Sequence, residues 1–232
     1  MLPRQGGKSG LALRAALHWP GPVLLVQEDG YIGYSEQRRF GRYRHLDALP
    51  FRLRDMPSTA PGDWLTYEAP VYLAAGRKVV LDASWAQHLG TTLSDGLQGL
   101  LYELTQIERT GRPLLLVLDG LGHNLPHVDL LAVQRAAARI PELTLLLLTR
   151  DLDALGLETW CAAADQADAV LLHSDALTFL GQIPYGLAGL VDTAWGQEDT
   201  THSVYLSAGT STLAQREWTR FPGYRSPFSL QK

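Results

Sequence analysis

Four short apolar runs stand out along the first two thirds of the chain. They cover residues 23–26, 79–81, 114–118 and 143–148. None of them alternates between apolar and polar positions, and continuous runs of this kind are typical of strands that are buried on both faces. The pattern therefore predicts a mostly parallel sheet with helices on both sides.

Helical patterns lie between these runs. Residues 9–19 carry apolar side chains at helical spacing, and residues 93–110 repeat them every three or four positions, with Ser94 as a candidate N-cap. Residues 128–140 have the same spacing. Strands that alternate with helices predict right-handed crossovers and a three-layer α/β sandwich.

Two segments depart from this alternation. Residues 38–63 contain several prolines and no clear period, which predicts an irregular surface excursion. Near the C-terminus, residues 203–206 and 213–218 flank a short turn sequence, so we expect a β-hairpin at the sheet edge within residues 201–221. The length fits one large domain over residues 1–232.

Composition and charge narrow the possible partners. The chain has 232 residues, of which 46% are hydrophobic and 19% charged, as in an ordinary globular protein. Its 20 Lys and Arg against 24 Asp and Glu give a net charge of -4, so any contact with nucleic acid must be local. The single cysteine, Cys161, excludes an intramolecular disulfide, and no run approaches the roughly 18 apolar residues of a membrane span. These features predict a cytoplasmic protein without a transmembrane segment.

The strongest chemical signal lies just before the first predicted helix, in Gly6, Gly7, Lys8, Ser9 and Gly10. In a phosphate-binding loop, glycines let backbone N–H groups turn toward the anion, a lysine reaches the terminal phosphates and a serine hydroxyl binds magnesium. The helix that follows directs its positive end at the phosphate. The segment predicts a site for ATP and Mg²⁺. The complete motif also has a glycine six residues before the lysine, where this chain has Leu2, so an ordinary glycine-rich segment is the alternative.

A second signal is the carboxylate that ends the third apolar run. In P-loop NTPases an aspartate at the position of Asp119 holds magnesium, although such a residue also occurs in ordinary turns. Its combination with Lys8 and Ser9 favours the nucleotide site. The fourth run ends in Thr149, whose hydroxyl is placed to contact the terminal phosphate or the attacking water, or to cap the next helix.

In their order along the chain, these elements resemble the FtsK/HerA superfamily of P-loop motors, and the resemblance covers nearly the whole sequence. Residues 6–9 are similar to the end of the Walker A loop, residues 22–29 to the second strand, residues 78–82 to the strand and aspartate that precede a long helix, and residues 114–119 to Walker B. The resemblance implies a three-layer, RecA-like P-loop NTPase fold.

A free-standing domain of this length is most similar to the genome-packaging ATPases of tailless membrane-containing viruses. That resemblance implies an ATP-driven translocase of double-stranded DNA that works as a homo-oligomeric ring. It also implies a capsid vertex or membrane-bound portal as a partner, and a location in the host cytoplasm or the virion.

One departure from the family pattern concerns hydrolysis. Walker B normally continues with a glutamate that polarises the attacking water, and this chain has Gly120 there. Hydrolysis should then be slow unless another carboxylate substitutes. Glu28 and Asp29, at the end of the second strand, are the nearest candidates by topology, and solvated charges in a loop are the alternative.

A local basic cluster offers a candidate DNA surface. Six arginines interleave with aromatic residues, a combination suited to sequence-independent contact with the phosphate backbone. A surface loop whose arginines pair with nearby aspartates is an equally good interpretation. The arginines are Arg38, Arg39, Arg42, Arg44, Arg52 and Arg54.

Other functions remain open on the sequence. A conjugative or HerA-like DNA-pumping ATPase has the same order of elements. A catalytically weak, nucleotide-binding structural subunit is favoured by Gly120. A regulatory NTPase of the STAND type has similar strand endings at residues 115–120 and 145–150, but the hairpin predicted at the C-terminus argues against it.

Overall fold

The computed structural model describes residues 12, 15, 16, 18–27, 50–52, 64–82, 92–106, 111–121, 125, 128–149, 152–173, 204–209 and 212–221. The chain divides into two compact units. The first comprises residues 9–148, and the second comprises residues 1–8 and 149–232. The single domain expected over residues 1–232 stays a prediction.

The first unit alternates strands and helices. Helical backbone at Ala12, Ala15, Ala16 and His18 precedes the first strand, as the sequence pattern predicts. The strands are β1 (Val23–Gln27), β2 (Pro50–Arg52), β3 (Lys78–Asp82), β4 (Leu114–Leu121) and β5 (Leu143–Thr149), the last of which reaches the unit boundary. A π-helical turn (Trp64–Glu68) continues into α1 (Ala69–Ala74), and α2 (Thr92–Gln106) and α3 (Leu130–Ala137) follow.

The five strands form one sheet in the order β2-β3-β1-β4-β5. The pairings of β2 with β3, of β3 with β1 and of β1 with β4 are all parallel. The α/β class and the mostly parallel sheet are therefore confirmed. Part of the predicted irregular excursion is a strand, because Pro50–Arg52 pairs along β3; residues 38–49 and 53–63 lie outside the described residues.

Both faces of the central strands are buried. On one face, the N-terminal helix packs on a cluster that comprises Ala12, Ala16, Val23, Leu25, Leu115, Val117 and Leu148. Strand alternation places Leu24 and Leu116 on the opposite face, and each exposes at most 2% of its surface. At roughly 1.5–3 kcal/mol for each large apolar side chain, burial of this kind is the main stabilising contribution to the sheet.

The structure corrects the expected cap of α2. Ser94 lies inside the helix, which begins at Thr92, and its buried Oγ accepts a hydrogen bond from the backbone N–H of Asp129 at 3.2 Å. Asp129 is itself the N-cap of α3, and its carboxylate accepts from the N–H of Ala132 at 3.0 Å. Ser94 therefore connects two helices instead of capping one. The helix α3 ends at Ala137, before its predicted limit, and residues 107–110 of the predicted α2 lie outside the described residues.

The second unit contains α4 (Leu152–Leu155), α5 (Leu157–Asp165), β6 (Ala169–His173), β7 (Val204–Ala208), a 3₁₀ turn (Leu213–Gln215) and β8 (Thr219–Phe221). Its strands form an antiparallel sheet in the order β6-β7-β8.

The antiparallel pair of β7 and β8 confirms a hairpin, and β8 is an edge strand of the three-stranded sheet. One detail of the prediction is wrong. The second strand is Thr219–Phe221, because residues 213–215 form the 3₁₀ turn. In the part of the chain that the structure describes, no helix has both the length and the apolar character to cross a membrane.

Candidate functional site

The carboxyl ends of three adjacent parallel strands bring polar residues into one row. Gln27 of β1 lies in register with Asp82 of β3 on one side and Asp119 of β4 on the other. Arg52 of β2 extends the row, because it lies in register with Asp82. The neighbouring row, Val26 with Leu81 and Leu118, is entirely apolar. The polar residues therefore concentrate where the strands end.

The N-terminal helix runs antiparallel to β1, as two contacts at its C-terminal end demonstrate. The Nε1 of Trp19 donates to the carbonyl of Pro113 at 2.6 Å, just before β4 begins. The Nζ of Lys78, the first residue of β3, donates to the carbonyl of Ala16 at 2.9 Å. The C-terminal end of the helix therefore lies at the amino edge of the sheet, opposite the carboxyl edge where Asp119 lies.

Gly21 makes the close passage from this helix into β1 possible. A Cβ at this position would lie 2.0 Å from the carbonyl oxygen of Pro113, a distance that no side chain tolerates. The backbone N–H of Leu115 donates to the carbonyl of Pro22 at 3.1 Å in the same place. The direction of the helix relative to the sheet is thus fixed at the helix C-terminus.

Asp119 lies on the sheet face that the helix covers. It has the same strand parity as Leu115 and Val117, which pack against the helix, and only 7% of its surface is exposed. The same alternation places positions 27 and 82 on this face. A carboxylate at this depth is costly unless it is paired, hydrogen-bonded or bound to a cation.

The connections that leave the carboxyl ends of β1 and β4 diverge toward opposite edges of the sheet. From β1 the chain leads to β2 at one edge, whereas from β4 it leads to β5 at the other. In open α/β sheets, ligands bind in the crevice outside the carboxyl ends of the strands where the connections separate in this way. Gln27 and Asp119 are register neighbours on the two strands between which the connections separate.

The backbone gives a physical reason for the glycine that follows Asp119. Gly120 has a φ of 102°, which residues with a Cβ rarely adopt. The chain turns immediately afterwards, since the N–H of Leu125 donates to the carbonyl of Gly120 at 3.0 Å. A glutamate at position 120 would be strained, so the departure from the Walker B pattern belongs to the local fold.

Most of the residues predicted from the sequence fall outside the described residues. These are Gly6, Gly7, Lys8, Ser9, Gly10, Glu28, Asp29, Arg38, Arg39, Arg42, Arg44 and Arg54. Arg52 is placed by its backbone in β2, and Thr149 is the half-buried last residue of β5. Conversely, Gln27 and Asp82 are absent from the sequence-predicted site. Each is the first polar residue after an apolar run, but only the strand register brings them beside Asp119.

The described groups with shifted pKa values, Lys78 and Cys161, do not lie in the polar row at the carboxyl edge. Burial lowers the pKa of Lys78, which lies at the amino edge, where its charge also faces the C-terminal end of a helix. In the second unit, burial and then the nearby charge of Asp165 raise the pKa of the Cys161 thiol.

A magnesium ion that arrives with a nucleotide would need few ligands from the carboxyl edge. Within the described ranges there is no cluster of three His, Cys, Asp or Glu side chains that could form a metal cage. Nucleotide-bound Mg²⁺ needs only one or two protein ligands, because phosphate oxygens and water complete its octahedral shell. The Asp119 carboxylate supplies one oxygen donor of the correct type.

Comparison of the chain with protein-family models, with curated proteins and with solved structures finds no match.

Proposed function

We propose that this protein binds ATP and Mg²⁺ at the carboxyl edge of its parallel sheet, with a P-loop fold, and uses ATP hydrolysis to move double-stranded DNA. One observation carries the nucleotide site. The helix that follows the Gly6–Gly10 segment in sequence has its C-terminal end at the amino edge of the sheet, so a helix that runs along β1 would direct its N-terminal end toward the edge that holds the buried Asp119. A phosphate between them would meet the positive end of the helix and a magnesium ligand together.

Each residue has a defined role in this proposal. Backbone N–H groups of Gly6, Gly7 and Gly10 bind phosphate oxygens, and Lys8 binds the β- and γ-phosphates. Ser9 and Asp119 would hold Mg²⁺, which neutralises the charge that develops on the transferred phosphoryl group. Thr149 at the end of β5 is the candidate contact to the terminal phosphate.

The strand order is compatible with a P-loop-like fold. The strands similar to the second strand, to Walker B and to the strand that follows it are β1, β4 and β5, and they are neighbours in the sheet. Since β1 and β4 are parallel and end in the same row, residues that follow the two strands meet at one edge. The proposed nucleotide site needs this arrangement.

The DNA surface in this proposal is the arginine cluster, because a chain with a net charge of -4 offers no general attraction for DNA. Arg52 is its one member in a described strand, and β2 lies at the edge of the sheet. The motor would act as a homo-oligomeric ring on a capsid vertex or membrane-bound portal, in the host cytoplasm or the virion. A conjugative or HerA-like DNA pump is the nearest variant.

A second candidate function is nucleotide binding with little or no turnover, as in a structural subunit or a STAND-type regulatory NTPase. The conformation of Gly120 favours it, since the backbone disfavours a glutamate at the position where Walker B usually supplies one. The two candidates differ in whether another residue positions the attacking water.

The test is ATP binding and phosphate release, measured with and without double-stranded DNA. Lys8→Ala and Asp119→Asn are compared with Asp168→Asn, an exposed carboxylate in the second unit. The motor predicts DNA-stimulated turnover that both site variants lose and the control keeps. ATP binding without turnover would support the second candidate. A wild type that binds no nucleotide would contradict both.

A further inference from the structure

We infer that Gln27 positions the attacking water in the proposed ATPase, which is the task that a glutamate after Asp119 would otherwise perform. This inference rests on the proposed function and assigns a residue within the same site. It starts from the polar row at the carboxyl edge, in which Gln27 is the central member.

The placement of Gln27 is the first argument. It is the last residue of β1 and the direct register neighbour of Asp119. Adjacent strands lie about 4.8 Å apart, so the two backbones are separated by one strand spacing at the divergence of the connections. Asp82, on the far side of β1, is two spacings from Asp119. Gln27 is thus the nearer polar neighbour of the proposed magnesium ligand in this row.

The second argument is the pattern of the strand. The four residues before Gln27 are Val, Leu, Leu and Val, and all four are buried with at most 1% of their surface exposed. Polar character begins at the position that pairs with Asp119 and Asp82. A polar residue at the end of a buried strand, in register with a buried carboxylate, suits a site where both groups meet the same ligand.

The chemistry suits an amide. Phosphoryl transfer proceeds through a loose transition state, so catalysis depends on positioning and on charge stabilisation more than on a strong base. A glutamine oxygen can accept a hydrogen bond from the water while its NH₂ group donates to a phosphoryl oxygen. The water oxygen bonds to the γ-phosphorus, the bond from that phosphorus to the β,γ-bridging oxygen breaks, and the proton of the water ends on the released phosphate.

The conformation of Gly120 is the third argument. Because its φ of 102° disfavours a side chain, the usual source of a water-positioning group is closed to this fold. A hydrolysing enzyme with this backbone takes that group from elsewhere in the site, and β1 and β5 are the strands beside β4. The register places the last residue of β1 level with Asp119.

The experiment compares Gln27→Leu, which keeps the approximate size and removes the amide, with Gln98→Leu, the same change at an exposed position of α2. Steady-state kinetics, binding of a fluorescent ATP analogue and binding of ADP with aluminium fluoride, which mimics the transferring phosphoryl group, are measured for each. We expect kcat to fall about 100-fold or more in Gln27→Leu. ATP affinity should stay within about twofold, and affinity for the aluminium fluoride complex should fall with kcat. Gln98→Leu should match the wild type.

A shorter amide separates chemistry from folding. Gln27→Asn keeps a polar side chain at the strand end, and its fold is checked by circular dichroism and by ATP affinity. Because it is one methylene too short, it should also lose kcat while it binds ATP normally. The same loss in both variants supports the inference.

Several results would overturn it. One is unchanged kcat in Gln27→Leu and Gln27→Asn, with the loss found in Glu28→Gln instead. Another is a higher KM at constant kcat, which would make Gln27 a ground-state binding residue. A wild type that binds ATP but shows neither turnover nor affinity for the aluminium fluoride complex would overturn this inference and leave the nucleotide site intact. Absence of ATP binding would overturn the proposed function as well.

Discussion

The parallel and the antiparallel sheet bury their residues differently. In β4 all eight residues are buried, whereas β6 alternates between the buried Val170 and Leu172 and the 43% exposed Leu171. Parallel strands with helices on both faces must be apolar throughout, while an antiparallel strand can leave one face to solvent. The first unit can therefore rely on apolar burial, and the smaller second sheet has less of it.

Polar contacts take a larger part in the second unit. Arg216 is buried, and its guanidinium donates to the carbonyls of Gly209 at 2.8 Å and Ala164 at 2.9 Å, and also to that of Ala167. The Asp165 carboxylate accepts from the N–H of Leu213 at 2.6 Å. These bonds connect the C-terminal end of α5 to the segment that follows β7. We therefore expect single substitutions to lower the free energy of unfolding through lost apolar burial in the first unit and through lost hydrogen bonds in the second.

The largest expected effect is in the parallel sheet. Leu25→Ala removes a side chain that is 1% exposed, in the cluster under the N-terminal helix. We expect the free energy of unfolding to fall by about 2–5 kcal/mol, because the cavity cannot collapse fully. Chemical denaturation measures it, and Leu171→Ala in β6 is the control, with an expected loss below about 1 kcal/mol. Equal losses in the two variants would contradict the difference between the sheets.

The next effect tests the polar network. Arg216→Met keeps the aliphatic length but leaves up to three carbonyls without their donor, which should cost about 1–3 kcal/mol. Native-state hydrogen exchange should show faster exchange of the β7 amides and unchanged protection in β1. Arg139→Met, at an exposed position, is the matched control. If both strands lose protection equally, the network is not specific to the second unit.

The sequence predicts the parallel strands well for a physical reason. Burial on both faces requires continuous apolar runs. The predicted runs end one residue before β1 and β5 do, and β3 is one residue longer than its predicted run at each end. The order of the strands is not encoded locally, because β1 pairs with strands about 50 and 90 residues later in the chain. The row of Gln27, Asp82 and Asp119 therefore appears only in the folded sheet.

The predictions are wrong where a residue type is compatible with two kinds of local structure. Leu213 is buried in a 3₁₀ turn, and its backbone N–H donates to the Asp165 carboxylate. Its apolar side chain is therefore buried without the strand that the sequence pattern predicts there. Ser94 has the chemistry of an N-cap, but its hydroxyl bonds to Asp129 of another helix. In both cases a contact distant in sequence overrides the local signal. Asp119, by contrast, is found from sequence because it ends an unbroken apolar run.

An effect of similar size concerns the backbone after Asp119. Gly120→Ala and Gly120→Glu should each destabilise the protein by about 1–3 kcal/mol, because both place a Cβ on a residue with a φ of 102°. Thermal denaturation checks the stability. Phosphate release checks whether the glutamate restores the family pattern, and we expect no increase in turnover over the alanine variant. A stable Gly120→Glu protein with faster turnover would show that the glycine is not required by the fold.

The smallest expected effect is on the pKa of the Cys161 thiol in the second unit. Burial raises the pKa of the Cys161 thiol most, and the negative charge of Asp165 raises it further by disfavouring the thiolate. Asp165→Asn removes that charge and keeps an oxygen that can accept from Leu213, so the thiolate should form at a lower pH while stability changes by less than about 1 kcal/mol. The pH dependence of iodoacetamide alkylation measures the change.

Asp168→Asn makes the same change of charge at an exposed position and should leave the midpoint in place. Because burial is the larger cause, the midpoint in Asp165→Asn should remain above that of an ordinary thiol. A midpoint that does not move would show that the Asp165 charge does not reach the sulfur, and that burial alone sets the chemistry of this cysteine.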